Sequence, residues 1–309
     1  MLDRYRPELR YDRSERSFVS SVDAMTSRYV ADGAERDSNR LIDDTGKTIA
    51  TANPRLSAPP LVTGVLGARY ALAGRAKATP NDRLITLGRP VDRGRSLSPR
   101  EVVYGRFATG GDGRRWIQYW LFFEDNAQDR GVVRTGRHAG DWEVLQLRLD
   151  AQNRPDRATF AQHSWAESCG RERLRLNGPA PLVFVAHASH AAYPRAGRVG
   201  RPFPDPTDEA DGRGHSSRPR VEVISAASPR WVGWPGRWGE SEAGPVPGEQ
   251  SSPRGPAFQG TRWSDPSAFD RGARTCGSGA PGRPWQWPIL LGLVALPILV
   301  VARRRHGRA

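Results

Sequence analysis

The sequence predicts a mainly β protein, a β-sandwich with peripheral short helices, followed by one C-terminal transmembrane helix. Three observations favour this fold class: short runs of β-branched and aromatic side chains, frequent turn residues, and a long apolar segment near the end of the 309-residue chain. The 33 glycines and 26 prolines make up about a fifth of the chain, against a usual share of about 12%. This composition favours many short elements joined by turns over a long helical bundle, and it excludes a coiled coil.

Four apolar runs bounded by turn residues are the best strand candidates: 115–123, 142–149, 181–186 and 221–225. Two other stretches, 17–43 and 99–103, are compatible with peripheral helices. No internal repeat is visible. The sequence therefore predicts one β-sandwich domain over residues 1–270.

The segment 285–302 has no charged side chain. As a helix it would be about 27 Å long, enough to cross the hydrocarbon core of a bilayer. Trp285 and Trp287 stand where an interfacial aromatic belt is expected, and a basic tail, 303–309, follows as a cytoplasmic flank. We predict a transmembrane helix over 285–302, preceded by a Gly/Pro/Arg linker over 271–284, with the lipid bilayer as partner.

The orientation of this anchor stays open. The terminal arginines favour an extracytoplasmic domain, but the charged start of the chain lacks the apolar core of a signal peptide. Either the true N-terminal signal peptide is missing from this sequence, or the protein is tail-anchored with a cytoplasmic domain. An extracytoplasmic, oxidising location would allow the two cysteines, Cys169 and Cys276, to form the one disulfide that their number permits.

The net charge of +14 comes from 47 basic residues, of which only Lys47 and Lys77 are lysines. The arginines are scattered through the chain rather than clustered, which is typical of a solvated, arginine-biased surface. We therefore expect no specific nucleic-acid partner.

Two carboxylates continue a stripe of leucines in the predicted strand that begins at Asp141. Side chains alternate along a strand, so Asp141 and Glu143 share a face with the leucines at 145, 147 and 149. Asp125 and His138, at the two ends of the preceding loop, can converge on the same place. These four residues form a candidate site for Ca²⁺, Mg²⁺ or Mn²⁺. The alternative is a salt-bridge cluster with Arg134 or Arg137.

A second polar group contains His163, His187 and His190, the last two directly after an apolar strand. These histidines fit a ligand-binding or supporting role, a general base, or simple loop capping. The acidic stretch 205–212 lacks the spacing of a calcium loop and predicts a solvated turn. No motif of a common enzyme class, such as G-x-S-x-G or H-E-x-x-H, is present.

Several ordered motifs resemble the vacuolar protein sorting-associated protein 62 family and its bacterial relatives. These are QYWLFFEDN (118–126), GRHAGDWE (136–143), AHASHAAYP (186–194), WPGRWGES (234–241) and SPRGPAFQGTRWSDP (252–266). The start of the chain, 6–12, also looks like the start of such a domain. The resemblance spans most of residues 1–266 and implies that Met1 stands almost at the first strand, in line with a missing signal peptide.

The Asp-Trp-Glu at 141–143 is more distantly similar to the heptapeptide of the necrosis- and ethylene-inducing-like proteins, secreted β-sandwich cytolysins. That resemblance implies a divalent cation surrounded by Asp125, His138, Asp141 and Glu143, used in engaging a glycosylated lipid head group. Ala139 and Gly140 replace the Arg-His pair of the heptapeptide.

Three functional hypotheses follow from the sequence. The leading one is a membrane-anchored, non-enzymatic protein that binds a divalent cation and recognises a glycan or polar lipid head group. The first alternative is a metal-dependent hydrolase in which His163, His187 or His190 is the general base. The second is a trafficking or envelope adaptor without a small ligand.

Overall fold

The structure is a computed structural model that describes residues 1–22, 40–42, 48–51, 86–87, 101–128, 138–201, 206–233, 238 and 253–278. The described strands, in chain order, are β1 Glu8–Tyr11, β2 Arg40–Ile42, β3 Thr48–Thr51, β4 Thr86–Leu87, β5 Val102–Thr109, β6 Arg115–Asn126, β7 His138–Leu149, β8 Pro155–Gln162, β9 Trp165–Gly170, β10 Leu176–Asn177, β11 Ala180–Val185, β12 Ala192–Tyr193, β13 Gly197–Val199, β14 Asp208–Ala210, β15 Ser216–Ser217, β16 Arg220–Val223 and β17 Arg274–Thr275. The described helices are short: the 3-10 turns Arg171–Arg173, Arg230–Gly233 and Pro256–Phe258, and the α-helices Thr261–Ser264 and Pro266–Gly272.

A seven-stranded sheet with the order β16-β5-β6-β7-β8-β9-β17 forms the centre of the protein. Its five inner strands are antiparallel neighbours, whereas β16 and β17 run parallel to β5 and β9 at the two edges. The predicted strands at 115–123, 142–149, 181–186 and 221–225 correspond to β6, β7, β11 and β16. The mainly β prediction is confirmed, and both large sheets are mixed.

A second sheet, with the order β10-β11-β1-β15 and β12 beside β11, lies against one face of the first. Side chains from both sheets meet in one core: Leu9 and Val183 from the small sheet, Leu145 and Leu147 from the large one. This face-to-face packing is the arrangement that the sandwich prediction describes. The short pair β13-β14 and the three strands β3-β2-β4 form two further small sheets.

The opposite face of the seven-stranded sheet carries an aromatic core covered by the C-terminal helices. Its largest members are Trp120, Trp142, Trp231, Trp238 and Trp263. Two glutamines of the sheet fasten this layer, because the Nε2 of Gln118 donates to the carbonyl of Arg262 and that of Gln146 to the carbonyl of Pro266, at 2.5 and 2.8 Å. The alternation predicted for β7 is therefore confirmed: Leu145 faces the second sheet and Trp142 faces the aromatic core.

The helical prediction for 99–103 is wrong, because Val102 and Val103 begin β5 and pair along β6 and β16. β-branched residues are stiff at χ1 and pack better on a sheet than in a helix. The helical prediction for 17–43 is also wrong where the structure describes it, because residues 17–21 are not helical and Arg40–Ile42 form β2. Residues 23–39 and 43 lie outside the described part of the chain.

The folded domain extends beyond the predicted boundary at residue 270. Residues 266–272 are helical, β17 pairs with β9, and Cys276 is disulfide-bonded to Cys169. The first part of the predicted linker 271–284 therefore belongs to the domain. This end was missed because its order comes from contacts with β9, about a hundred residues earlier in the chain, and not from local sequence.

The predicted transmembrane helix at 285–302 and the basic tail at 303–309 lie outside the described residues. Within the described residues, none of the helices has both the length and the apolar character needed to cross a membrane.

Candidate functional site

An acidic cleft of about 430 Å³ opens at one end of the two sheets. Three chain segments meet there: the turn that follows β1, the end of β6, and the turn that follows β11. Its charged lining residues are Glu15, Glu124, Asp125 and Arg16, so the carboxylates outnumber the arginine, and Ser17, Ser20 and His187 add polar groups. Its volume lies within the range of small-molecule sites in proteins.

Hydrogen bonds hold the cleft in shape. The Oγ of Ser17 donates to Asp125 at 2.5 Å, and the Oγ of Ser20 donates to Glu124 at 2.6 Å. Glu15 accepts backbone N–H groups from Ser17 and Ala188 at 2.7 and 2.6 Å. The first segment is thereby fastened to the other two. Asp125 is exposed, and the described residues provide no hydrogen bond to its second carboxylate oxygen.

A buried ion pair lies directly behind the cleft. The Nδ1 of His190 is 3.1 Å from Oδ2 of Asp141, and its ring stacks on Phe123 with 3.9 Å between centroids. The Nε2 of His190 lies 3.9 Å from Glu15, which lines the cleft. Asn126 donates to the same oxygen of Asp141 at 3.1 Å. The cleft wall is therefore connected to the start of β7 through His190.

Electrostatics favour the charged state of this pair. Burial alone would raise the pKa of Asp141 and lower that of His190. Their mutual hydrogen bond and charges outweigh burial, so the pKa of Asp141 is lowered and that of His190 is raised.

Glu143 has the opposite electrostatic environment. Its side chain is buried and its Oε2 makes no hydrogen bond within the described residues. Burial, reinforced by the negative charges of Asp141 and Asp208, raises its pKa well above the ordinary value, although Arg262 acts in the other direction. A neutral Glu143 carboxyl, or a cation beside a charged one, satisfies this environment.

Asp208 is the centre of a second buried network. It accepts hydrogen bonds from His163 and Tyr193 at 2.7 Å and from Ser189 at 2.8 Å, and Arg201 lies 3.6 Å away. Burial raises its pKa, but the hydrogen bond and charge of His163, followed by the charge of Arg201, lower it to about 2. The predicted solvated turn at 205–212 is thus wrong at Asp208, which is 1% exposed.

The structure distributes the predicted site residues over three places. Asp125 and His187 line the cleft, Asp141, Glu143 and His190 lie behind it, and His163 belongs to the Asp208 network. His138 is half-buried, and its Nδ1 is 2.8 Å from the carbonyl of Gly140. Glu15 was missed because it is a single acid in a loop without a local motif. Asn126 and Asp208 lie in stretches that the sequence analysis discusses, 118–126 and 205–212, but their partners Asp141 and His163 are 15 and 45 positions away in the chain, so neither was predicted as a site residue.

No group of three or more His, Cys, Asp or Glu side chains within the described ranges is arranged to hold a metal ion. Within the described residues, the Oε2 of Glu143 has no hydrogen-bond partner, which favours a cation at this place. Asp141, by contrast, already has His190 and Asn126 as partners. Arg134 and Arg137, the alternative partners of the acids, lie outside the described residues. The four-residue metal site stays a prediction.

Comparison with known proteins gives matches only among solved structures; no family model and no curated protein matches the chain. One such structure, described as "Toxin fold for microbial attack and plant defense", is 12% identical, with a TM-score of 0.35 over 72% of this chain and 71% of its own. Necrosis and Ethylene inducing Protein 2, from the causal agent of cocoa's Witches Broom disease, is 11% identical with a TM-score of 0.34 and the same coverage. NLPPya in complex with mannosamine is 13% identical, with a TM-score of 0.35 over 72% of this chain and 71% of its own.

These neighbours are necrosis- and ethylene-inducing-like toxin-fold proteins, to which this chain is similar at low identity. The resemblance to the vacuolar protein sorting-associated protein 62 family has no support beyond the motifs that suggested it.

Proposed function

We propose that this protein is a membrane-anchored binding protein that holds a hydroxyl-rich ligand, a glycan or a polar lipid head group, in the acidic cleft. The observation that carries the proposal is the concentration of carboxylates and serine hydroxyls in a preformed cleft of about 430 Å³. Carboxylates that accept hydrogen bonds from ligand hydroxyls form strong, charge-assisted contacts. Glu15, Glu124 and Asp125 are all held in place by hydrogen bonds before a ligand arrives.

One wall of the cleft is apolar. Phe18 lines it and packs edge-on against Tyr11, with 5.0 Å between ring centroids. An aromatic ring beside carboxylates suits a sugar, which presents C–H groups on one side and hydroxyls at its edge. The cleft is therefore chemically matched to a polyhydroxylated ligand.

A divalent cation, Ca²⁺, Mg²⁺ or Mn²⁺, is part of the same proposal, with Asp125, His138, Asp141 and Glu143 as the residues that would hold it. Two observations support it: among the described residues, neither the Oε2 of Glu143 nor the second carboxylate oxygen of Asp125 has a hydrogen-bond partner. When bound, such an ion would offer open coordination positions to hydroxyl or phosphate oxygens of the ligand.

Membrane attachment rests on the apolar segment 285–302. The disulfide between Cys169 and Cys276 supports an extracytoplasmic domain, because disulfides persist in oxidising compartments. The tail-anchored cytoplasmic arrangement is the alternative.

The rival hydrolase would have to use His187. His163 and His190 are bound to carboxylates inside the domain, whereas His187 is exposed and lines the cleft. The adaptor hypothesis has no observation of its own in its favour.

The test is binding of the full chain, in detergent micelles, to glycan and lipid head-group arrays with each divalent ion or with chelator. We expect ion-dependent retention that falls about 10- to 100-fold in Asp125→Asn, because a hydrogen bond to a charged group contributes about 1.5–3 kcal/mol. Glu222→Gln, a change to a half-buried carboxylate on β16 that is paired with Arg220 away from the cleft, is the matched control and should bind like the parent.

Thermal unfolding in the same buffers tests the ion separately. A bound ion at a hundredfold excess over Kd stabilises the native state by about 2.7 kcal/mol. The increase in midpoint should be present in the parent and absent in Asp141→Asn. If the parent and Asp125→Asn bind the arrays equally well, the cleft is not the ligand-binding site. Turnover of a retained ester or glycoside would favour the hydrolase hypothesis.

A further inference from the structure

Three arginines, Arg173, Arg195 and Arg274, contact or lie beside the last described residues, 276–278, and Arg171 and Arg175 flank Arg173 in the same exposed segment. We call this surface the exit face: Arg171, Arg173, Arg175, Arg195 and Arg274. The Nη1 of Arg173 donates to the carbonyl of Cys276 at 3.0 Å, and Nε of Arg274 donates to Ser278 at 3.1 Å. The guanidinium of Arg195 lies so close to Gly277 that a Cβ there would be 2.9 Å from its Nη1.

The positive charge of the exit face is largely uncompensated. Within the described residues, none of its five arginines forms an ion pair with a carboxylate; Arg171 donates instead to the carbonyl of Pro155 at 3.0 Å. Two acids accompany these five arginines: Glu172, which is exposed, and the buried Glu167, whose Oε2 accepts the N–H of Gly277 at 3.3 Å. Leu176, in the same segment, is an exposed apolar side chain with 37% of its surface accessible.

The exit face and the acidic cleft lie at opposite ends of the domain. Arg175 and Leu176 are beside the start of β11, because Leu176 pairs with Pro181. His187, which lines the cleft, follows the other end of this strand. A surface that binds at the exit face therefore leaves the cleft open to solvent.

We infer that the exit face docks on the anionic head groups of the membrane that holds the protein, an inference that rests on the proposed anchor at 285–302. Only residues 279–284 separate Ser278 from Trp285. A chain of this length spans at most about 25 Å. The exit face is therefore the part of the described domain that the anchor would keep close to the bilayer.

Charge complementarity supports lipid head groups as the partner. Guanidinium groups form bidentate hydrogen bonds with phosphates, and each basic side chain near an anionic surface strengthens binding about fivefold, equivalent to about 1 kcal/mol. An acidic protein or a nucleic acid would have to enter the narrow space between the domain and the bilayer. The head groups of the bilayer that holds the proposed anchor already lie next to this face.

The experiment compares the full chain reconstituted in vesicles of phosphatidylcholine alone with vesicles that also contain about 30 mol% phosphatidylglycerol. Arginines are modified with phenylglyoxal and the extent at each site is measured by mass spectrometry. We expect Arg175 and Arg195 to be modified several-fold less in the anionic vesicles. The protection should disappear in about 1 M NaCl, where the Debye length is only about 3 Å.

A matched pair of variants separates the exit face from general surface charge. Arg175→Gln with Arg195→Gln removes two side chains that make no hydrogen bond within the described residues. Docking should weaken about 25-fold and the protection of Arg171 should be lost. Arg213→Gln with Arg218→Gln, next to β15 at the opposite edge of the small sheet, should leave the protection unchanged.

Retention after alkaline carbonate extraction reports on the anchor alone. If the protein is retained after extraction but its exit-face arginines are not protected in anionic vesicles, the docking proposal is wrong and the anchor stands. Salt-sensitive binding of the exit face to anionic vesicles without carbonate-resistant retention would overturn the anchor. Equal protection of Arg213 and Arg218 would overturn the exit face as a specific surface.

Discussion

Gly140 determines the geometry at the start of β7, where three of the predicted site residues lie. Its φ of +65° is in the left-handed region, and a Cβ added there would lie 2.4 Å from the carbonyl oxygen of Trp238. A backbone oxygen cannot move aside like the end of a flexible side chain. Any side chain at this position would therefore clash with the backbone of Trp238.

Gly140→Ala should lower the free energy of unfolding by at least about 2 kcal/mol, because backbone strain and a backbone clash add. Gly178→Ala is the matched control: Gly178 has a φ of +59° but no atom within 4 Å of an added Cβ. Urea unfolding of both variants measures the difference. Equal losses in the two variants would contradict the clash with Trp238.

Asp208 makes the free energy of unfolding depend on pH in the acidic range. Its pKa is lowered to about 2 in the folded protein, against an ordinary value of 3.8. A lowered pKa contributes stability that is present above the unfolded value and is lost as the pH falls through the folded one. The contribution, about 2.5 kcal/mol, should therefore disappear between about pH 4 and pH 2.

The measurement is the free energy of unfolding of the parent and of Asp208→Asn as a function of pH. We expect the variant to be less stable at neutral pH and the difference to shrink below about pH 4. A difference that stays constant from pH 6 to pH 2 would mean that the charge of Asp208 does not stabilise the fold.

At the scale of elements, β17 depends on β9 for its order. Arg274 and Thr275 pair with Glu167 and Ser168, and the N–H of Cys276 donates to the carbonyl of Ser168 at 3.0 Å. The disulfide to Cys169 then closes a loop with a sequence separation of 107. A two-residue strand is too short to hold this position by its hydrogen bonds alone.

Reduction of the disulfide should destabilise the domain by about 3–5 kcal/mol, because a loop of about 100 residues restricts the unfolded chain strongly. Denaturant unfolding with and without reductant measures this loss. The double variant Cys169→Ser with Cys276→Ser should match the reduced parent and should not respond to reductant. If reductant leaves the midpoint of the parent unchanged, the bridge does not stabilise the fold.

At the scale of the whole molecule, the net charge is +14, but acidic and basic side chains are concentrated at different ends of the domain. Glu15, Glu124 and Asp125 line the cleft, whereas the arginines of the exit face form no ion pair with a carboxylate of the described residues. β6 and β17 are separated by four steps in the sheet, about 19 Å at the usual spacing. The proposed ligand and the proposed bilayer contact would therefore not compete for one surface.

The sequence alone determined the local features of the fold. The strands β6, β7, β11 and β16 and the alternation along β7 follow from neighbouring residues, because side-chain direction in a strand is fixed by the pleat. The inward direction of Asp141 and Glu143 was predictable for the same reason.

Only the tertiary structure decided which polar groups meet. His190 reaches Asp141 across 49 positions of the chain, Ala188 reaches Glu15 across 173, and Ser17 reaches Asp125 across 108. No local pattern encodes such contacts, since they arise when two sheets pack and bring distant loops to one end. The same packing buried Asp208, brought three carboxylates to one cleft, and joined Cys169 to Cys276 close to the last described residue, Ser278.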